Sequence, residues 1–144
     1  EPSIQTRGEV SWALARAAKL HRQRVDELLN KIGLHVGQEM LLNVLWTEGE
    51  MTQTELANRL KIQPATLTVA LGRLEKSGFI VRSRDPNDHR VSRVQPSSKS
   101  DDLQNDVMLA WSRLEYESIK SLSEPEQAML VILLNKVSES LSND

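Results

Sequence analysis

The chain has 144 residues, of which 39% are hydrophobic and 26% are charged, as is typical of a single globular domain and not of a disordered chain. It contains no cysteine, which excludes disulfides, thiolate nucleophiles and cysteine zinc sites. Its net charge of −2 is unevenly distributed, because residues 52–100 carry +5 and the remainder carries −7; this is typical of a localised polyanion-binding face, but the charge alone fits an ordinary solvated surface equally well.

The first two predicted elements are helices. Apolar residues recur at helical spacing from Glu9 to Lys31, and Gly33 is placed to end this helix in a left-handed conformation. One face of the helix is expected to carry Val10, Leu14, Ala17, His21, Leu28 and Ile32. A second helix is predicted over residues 36–46, with an apolar side formed by Met40, Leu41, Val44 and Leu45.

Two further helices follow in the pattern of a helix-turn-helix unit. Thr52 and Glu55 have the spacing of a capping box, so a short helix is expected to begin at Thr52. Pro64 suits the first position of the next helix, because a missing N–H costs nothing there. This helix is expected to end at Gly78. Its inward face is predicted to carry Leu67, Leu71 and Leu74.

Beyond Gly78 the period of the apolar residues changes from 3.6 to 2. The segments FIVRSR and VSRVQ alternate on either side of the turn DPND, which predicts a two-stranded hairpin. Ser97 or Ser98 is expected to cap a long helix whose inward face carries Leu103, Val107, Ala110, Trp111 and Leu114. A last helix is predicted from Ser123, with Glu126 completing a capping box, through Leu130, Leu134, Val137 and Leu141.

This order of elements predicts a mainly α-helical fold with a small β-hairpin, the arrangement of a winged helix-turn-helix domain. The hairpin is too small to be stable alone and must pack on the helices. Residues 129–134 of the last helix are apolar on every side. Such a helix is unusual at a surface and is typical of one buried between subunits, so we expect a dimer.

The second helix of a helix-turn-helix unit lies in the major groove of DNA. Its threonines can bond phosphates or bases, and its Ala, Val and Thr methyl groups can meet the methyl group of thymine. Arg73 can read a base or contact a phosphate, and Gln63 can approach adenine or the backbone. The candidate DNA-binding residues of this helix are Gln63, Pro64, Ala65, Thr66, Thr68, Val69, Arg73 and Lys76, and Gly72 also faces outward.

The hairpin concentrates four arginines around its turn, which Asp85 and Pro86 form. A wing tip of this kind can place Arg90 in the narrow minor groove of A·T-rich DNA, with Asp88 holding the guanidinium extended. Arg82, Arg84 and Arg93 would supply phosphate contacts or intramolecular pairs, or remain solvated charges at a strand edge. The candidate DNA-binding residues of the wing are Arg82, Arg84, Asp88, His89 and Arg90.

The segment LANRLKIQPATLTVALGRLEKSGFIVRSRDPNDHRVSRV resembles the MarR (multiple antibiotic resistance regulator) family of bacterial transcription factors. The shared elements are the LA-x-RL opening, T-x-T-x-x-L-x-RLE-x-x-G-[FL]-[IV]-x-R and the DP-x-D-x-R wing. Arg90 matches the family's wing-tip arginine, Asp88 its partner acid, and Thr66, Thr68 and Arg73 match recognition-helix positions. The chain departs from the family at Val69, where a polar reader is common, at Gly72, and at Gln95-Pro96-Ser97 after the wing.

The resemblance implies a homodimer that binds a palindromic operator in double-stranded DNA. It also implies a division into an N-terminal dimerisation helix (1–34), a winged domain (35–96) and C-terminal dimerisation helices (97–144). The recognition helix is then 64–77 and the wing 79–95.

Family members often bind small aromatic or phenolic anions between the dimerisation helices and the winged domain, so an effector pocket is a further expectation. Such a pocket needs apolar walls with a few polar groups. The candidate residues are Trp12, Arg16, His21, His35, Trp46, Trp111 and Arg113. The alternative is that the tryptophans are core or interface anchors and that His21 is a satisfied interfacial histidine.

Three other classes of function compete with a DNA-binding regulator that responds to a small ligand. No nucleophile–base–orienter set can be assembled, so an enzyme is not expected, and neither is a cofactor. A metal-responsive regulator could use His21, His35 and Glu39, but their spacing is not diagnostic, so no metal site is expected. A winged helix used only for protein contact would not need an arginine at its tip.

No run of 18 apolar residues and no apolar leader is present, so we expect a cytoplasmic protein without a membrane partner. The sequence therefore predicts a DNA-binding regulator. Repression relieved by a small ligand is implied by the resemblance alone.

Overall fold

A computed structural model describes residues 8–142 of the chain; residues 1–7 of the predicted N-terminal segment and 143–144 of the C-terminal one lie outside the described residues. The described part consists of six helices and three strands. In chain order these are α1 (Glu9–Asn30), α2 (Val36–Glu48), β1 (Met51–Thr52), α3 (Gln53–Leu60), α4 (Pro64–Lys76), β2 (Ile80–Arg84), β3 (Ser92–Pro96), α5 (Ser98–Ile119) and α6 (Glu124–Ser142). The predicted mainly helical winged-helix fold is confirmed.

Glycines end two of the helices as the sequence predicts. Gly33 and Gly78 have φ angles of 84° and 81°, a left-handed conformation that favours glycine. Past Gly78, the N–H of Phe79 donates to the carbonyl of Leu74 at 2.9 Å, the bond that closes a Schellman motif. The chain therefore leaves the recognition helix α4 in a fixed direction and enters the wing without a flexible linker.

Side-chain caps fix the starts of three helices. The hydroxyl of Thr52 accepts from the N–H of Glu55 at 3.1 Å and begins α3, and Ser97, rather than Ser98, caps α5. Ser123 and Glu126 form both bonds of the predicted capping box, at 2.9 and 3.3 Å.

The sheet has three strands in the order β1–β3–β2, not the two strands that the sequence predicts. Strands β2 and β3 form the predicted antiparallel hairpin, with Arg82 opposite Val94. The added strand β1 pairs Met51 with Val94, so β3 is the central strand. A two-residue strand is too short to show a period of 2 in the sequence, which is why β1 was missed.

The core of the winged domain is built from leucines of α2, α3 and α4 and from the inner side of the sheet. Leu67, Leu71 and Leu74 are at most 1% exposed, as predicted, and Ile80 and Val94 seal the sheet against them. The second half of α1 and one face of α5 extend this core; their buried residues are Val25, Leu28, Leu29, Leu103, Val107, Ala110 and Leu114.

Five residues placed on predicted apolar faces are exposed, and Ala17 and His21 of α1 are two of them. Val10 is 73% exposed, Met40 52% and Trp111 37%. The first half of the apolar face predicted for α1 is therefore exposed, because no other element among residues 8–142 covers it. Met40 lies on the outer side of α2, whose buried face is formed by Leu41, Leu42 and Leu45 together with Glu39.

Helix α6 differs from the other helices because none of its described residues is buried. Its apolar run from Met129 to Leu134 is between 39% and 59% exposed. None of the described helices combines the length and the apolar character that crossing a membrane requires.

Candidate nucleic-acid interface

The recognition helix α4 turns its predicted reading residues toward solvent. Its leucines fix the inner face in the core, so the opposite face stays outside. Gln63 is the N-cap residue and Pro64 the first helical residue. The exposed candidates on this helix and at its start are Gln63, Pro64, Ala65, Thr66, Thr68, Val69, Arg73 and Lys76, and Gly72 is partly exposed.

One hydroxyl on this face is already used inside the helix. Thr68 donates its hydroxyl hydrogen to the carbonyl of Pro64 at 2.9 Å. Val69, the next residue, is 57% exposed and carries no polar atom in its side chain. The centre of α4 therefore offers an apolar surface, whereas Arg73 and Lys76 bring positive charge to its last turns.

The tip of the wing is a turn held by two aspartates. The Asp85 carboxylate accepts from the backbone N–H groups of Asn87 at 2.8 Å and Asp88 at 3.3 Å, and these bonds, with a pairing to Arg93, lower the pKa of Asp85. Such an Asx turn gives the tip a defined shape before it meets any partner.

Arg90 is held at this tip by a bidentate pair, as the sequence predicts. Its Nε and Nη2 atoms donate to the two Asp88 carboxylate oxygens at 3.0 and 3.1 Å, and the side chain is 91% exposed. The Arg90 guanidinium lowers the pKa of Asp88. The pair fixes the position of the guanidinium beside Asp88 while the side chain stays exposed to solvent. His89, beside it, is also exposed.

The other three arginines of the hairpin are engaged within the chain. Arg82 pairs with Glu75 of α4 at 2.9 Å, which ties the wing to the recognition helix. Arg84 donates to the His89 carbonyl at 2.7 Å across the hairpin. Of the three roles predicted for Arg82 and Arg84, which are phosphate contacts, intramolecular pairs and solvated charges, the described contacts favour intramolecular pairing.

Arg93 is the most connected of the four. It bonds Glu50, which precedes β1, at 2.9 Å and Asp85 of the wing turn at 3.2 Å. A continuous set of hydrogen bonds thus leads from the end of α2 through Arg93 and Asp85 to the turn that carries Arg90. Sequence reasoning missed Glu50 and Glu75 as partners. The bond between Glu50 and Arg93 spans 43 positions, and the bond between Glu75 and Arg82 joins a helix to a strand, so neither leaves a local periodic pattern.

The structure brings together only some of the seven effector candidates. The rings of His21 and Trp111 lie 6.3 Å apart, and the Trp111 indole N–H donates to the Glu39 carboxylate at 3.2 Å. This Trp111 cluster joins α1, α2 and α5. Glu39 is only 5% exposed, and burial raises its pKa, partly offset by the bond from Trp111.

The remaining candidates lie elsewhere. The indole N–H of Trp46 donates to the hydroxyl of Ser100 at 3.2 Å. Ser100 and Trp111 are separated by 11 residues of α5, which is a helical rise of about 16 Å. The Arg16 guanidinium lies 5.6 Å from the ring of Trp12 near the start of α1. Arg113 pairs with Glu117 at 3.1 Å, and His35 is the N-cap residue of α2. No group of three metal-ligating side chains occurs among residues 8–142.

Comparison with known proteins agrees with this architecture. Residues 34–92 match the MarR family model, a range that begins just before α2 and ends in the wing. Over this range the chain is similar to regulators of the MarR family. It is 25% identical over 124 residues to the HTH-type transcriptional regulator MhqR of Bacillus subtilis, covering 86% of each chain.

Solved structures of MarR from Escherichia coli share the fold. Wild-type MarR in its apo form is 25% identical, with a TM-score of 0.75 over 90% of this chain and 96% of that one. A MarR cysteine-to-serine mutant in complex with operator DNA is 23% identical, with a TM-score of 0.77 over 95% and 99% of the two chains.

The departure from the MarR pattern after the wing is accommodated locally. Pro96 is the last residue of β3, and the next residue, Ser97, caps α5 and donates its hydroxyl to the carbonyl of Gly78. Strand β3 and helix α5 therefore remain directly connected, although the residues at this junction differ from the MarR pattern. Val69 and Gly72 also depart from the MarR pattern. Both lie on the exposed face of α4, so these two substitutions change what the helix can contact.

Proposed function

We propose that the protein is a sequence-specific DNA-binding transcription regulator that acts as a homodimer. The observation that carries this proposal is the wing tip: Arg90 is 91% exposed and is held in place by a bidentate pair with Asp88. A guanidinium fixed in this way loses little conformational entropy on binding, and it fits the negative potential of a narrow minor groove.

The recognition helix supports the same proposal. Helix α4 is exposed along the face opposite its leucines, and the pair between Arg82 and Glu75 fixes the wing beside it. This fixed arrangement suits a helix in the major groove with a wing in the adjacent minor groove. The positive segment 52–100 would supply the phosphate attraction that such binding needs.

The homodimer is inferred from the exposed apolar residues of the terminal helices, and the division from the winged domain at residues 34 and 97 is part of the same proposal. Six consecutive apolar residues of α6, Met129 to Leu134, are exposed, and apolar side chains of α5 such as Met108 and Leu109 are more than 60% exposed. A patch of this extent marks an interaction surface. A second copy of the chain would cover it and would place two winged domains on a palindromic site.

Repression relieved by a small aromatic or anionic ligand is the finer part of the proposal. It is supported by the Trp111 cluster, because Trp111, Glu39 and His21 join α1 and α5 to the winged domain. A ligand wedged there would change the angle between these helices. Titration with aromatic acids should shift Trp fluorescence and weaken DNA binding; no effect from any compound would remove ligand relief from the proposal.

Selection from a random-sequence duplex pool, followed by binding measurements on the winners, tests the DNA-binding proposal. The wild type should select a palindrome and lose affinity steeply between 50 and 200 mM salt, as expected for several phosphate contacts. Arg90→Ala should weaken binding about 5- to 100-fold. Arg22→Ala, which removes the same charge from exposed α1, should bind like the wild type. Weak binding without a selected site would contradict the proposal.

A further inference from the structure

The outermost face of the recognition helix α4 carries a strip of small and apolar residues. Ala65, Val69 and Gly72 follow one another at i, i+4 and i+7, so they share one face of the helix, opposite Leu67 and Leu71. Val69 is 57% exposed. We call these three residues the outer strip.

Few hydrogen-bond donors lie beside the outer strip on the surface of α4. The hydroxyl hydrogen of Thr68, which neighbours Val69, is committed to the Pro64 carbonyl at 2.9 Å. The methyl group of Thr68 adds to the apolar surface. Charged groups begin only at Arg73, beyond the strip. A surface of this kind is poorly suited to reading bases by paired hydrogen bonds.

Gly72 has no internal reason to be glycine. A Cβ atom at this position would meet no atom within 4 Å, and Gly72 is absent from the positive-φ residues of the described chain. Glycine lowers the stability of a helix interior relative to alanine, so the fold alone would favour alanine here. One use of a glycine at such a position is to let another molecule approach the backbone closely.

We propose that the outer strip reads thymine, through the methyl groups at C5 that thymine alone presents in the major groove, and that Gly72 lets α4 approach the base edges. The proposal rests on the DNA binding proposed above and specifies its chemistry. Thymine methyl groups are apolar and match Ala65 and Val69. Each methyl group buried there should contribute about fourfold in affinity.

Deoxyuridine provides the direct test, because it pairs like thymine and lacks only the methyl group. Duplexes recovered from the random pool are remade with deoxyuridine at each half-site thymine, and with deoxyuridine in the flanks as the control. Wild-type affinity should fall about fourfold at one or more half-site positions and stay unchanged for the flanks.

Val69→Thr keeps the shape of the side chain and replaces one methyl group by a hydroxyl. On the thymine duplex this variant should lose affinity severalfold, whereas on the deoxyuridine duplex it should lose nothing further, as expected for two groups in contact. Additive losses would show that Val69 and the thymine methyl group act independently, which would overturn the assignment.

Gly72→Ala separates binding from folding, because its two effects have opposite signs. The variant should melt at a higher temperature than the wild type, yet bind the selected duplex several times more weakly. Gly37→Ala in α2 is the matched control, since a Cβ there also meets no atom within 4 Å; it should change the melting temperature without changing DNA binding.

The outcomes distinguish this inference from the proposed function. If the selected duplex is bound equally well with thymine and deoxyuridine, and Gly72→Ala binds like the wild type, the strip does not read thymine although the protein binds DNA. If no duplex is selected at all, the proposed function fails and the inference fails with it.

Discussion

The winged domain (residues 36–96) and helix α6 bury their apolar residues in opposite ways. The winged domain closes around its own leucines, and Leu42, Leu56, Leu71 and Leu74 have no exposed surface. Helix α6 is richer in consecutive apolar residues than α4, yet it has no buried residue. Apolar content alone therefore does not place a residue in the core of its own chain. A run of exposed apolar residues such as that of α6 marks an interaction surface, and we propose that a second copy of the chain covers it.

The largest expected effect is loss of the proposed dimer when charged residues are placed on the apolar run of α6. Val131→Glu combined with Leu134→Glu puts two carboxylates on the apolar run of α6, and burying them in an interface would be strongly unfavourable. Sedimentation should then show a single chain of 16.3 kDa.

The control adds the same two charges to exposed positions of α3, as Thr54→Glu with Asn58→Glu. This variant should sediment like the wild type. If the α6 variant does so as well, α6 is not the interface.

The next largest effect is expected in the core of the winged domain. Leu71→Ala removes a fully buried side chain and should lower the free energy of unfolding by about 3 kcal/mol, within the range of 2–5 kcal/mol for such cavities. Urea unfolding followed by circular dichroism measures this loss. The comparison variant Met40→Ala, at a residue 52% exposed on the outer side of α2, should change the free energy little. Equal losses would contradict the assignment of Leu71 to the core.

A smaller effect is expected from Arg93, which positions the wing turn without reaching the tip. Arg93→Ala removes the bonds to Glu50 and Asp85, so the turn that carries Arg90 should become less fixed. DNA affinity should fall about three- to tenfold, with the selected sequence unchanged, because preorganisation is lost and no base contact is.

Arg59→Ala is the comparison for this prediction, because Arg59 pairs with Glu48 away from the wing. If both variants bind DNA like the wild type, the bonds of Arg93 do not position the wing.

The smallest expected effect concerns acid stability. Bonds from Arg24 and Arg113 lower the pKa of Glu117 to about 2 from a usual value of 4.5. A carboxylate with a lowered pKa stabilises the fold fully above its unfolded pKa, and this contribution disappears as the pH falls from about 4.5 toward 2. Glu117→Gln should therefore flatten the pH dependence of stability in that window. An unchanged pH profile would contradict the pairing.

Local patterns predicted much of this architecture. The pair between Asp88 and Arg90 joins residues two positions apart, and the inward leucines of α4 repeat at helical spacing, so both were predicted from the sequence. The MarR-like motifs lie in the same segment. The residues that hold the wing turn, however, include Glu50, whose bond to Arg93 spans 43 positions. No local pattern carries such a pairing.

The exposure of the first half of α1 was not predicted, for a different reason. Its apolar spacing correctly predicts a helix, but the period says only that one face is apolar, and not which molecule covers that face. Val10 was placed on this face and is 73% exposed. The separation of Trp46 from Trp111 also depends on how α2 crosses α5, which the sequence does not specify.

The most direct test of the account is the mass of the complex with a selected palindromic duplex, measured by native mass spectrometry. It examines the reading surface of the winged domain and the uncovered α6 together. The account predicts one duplex carrying two chains of 16.3 kDa each. A complex with a single chain, or free duplex beside free protein, would contradict it.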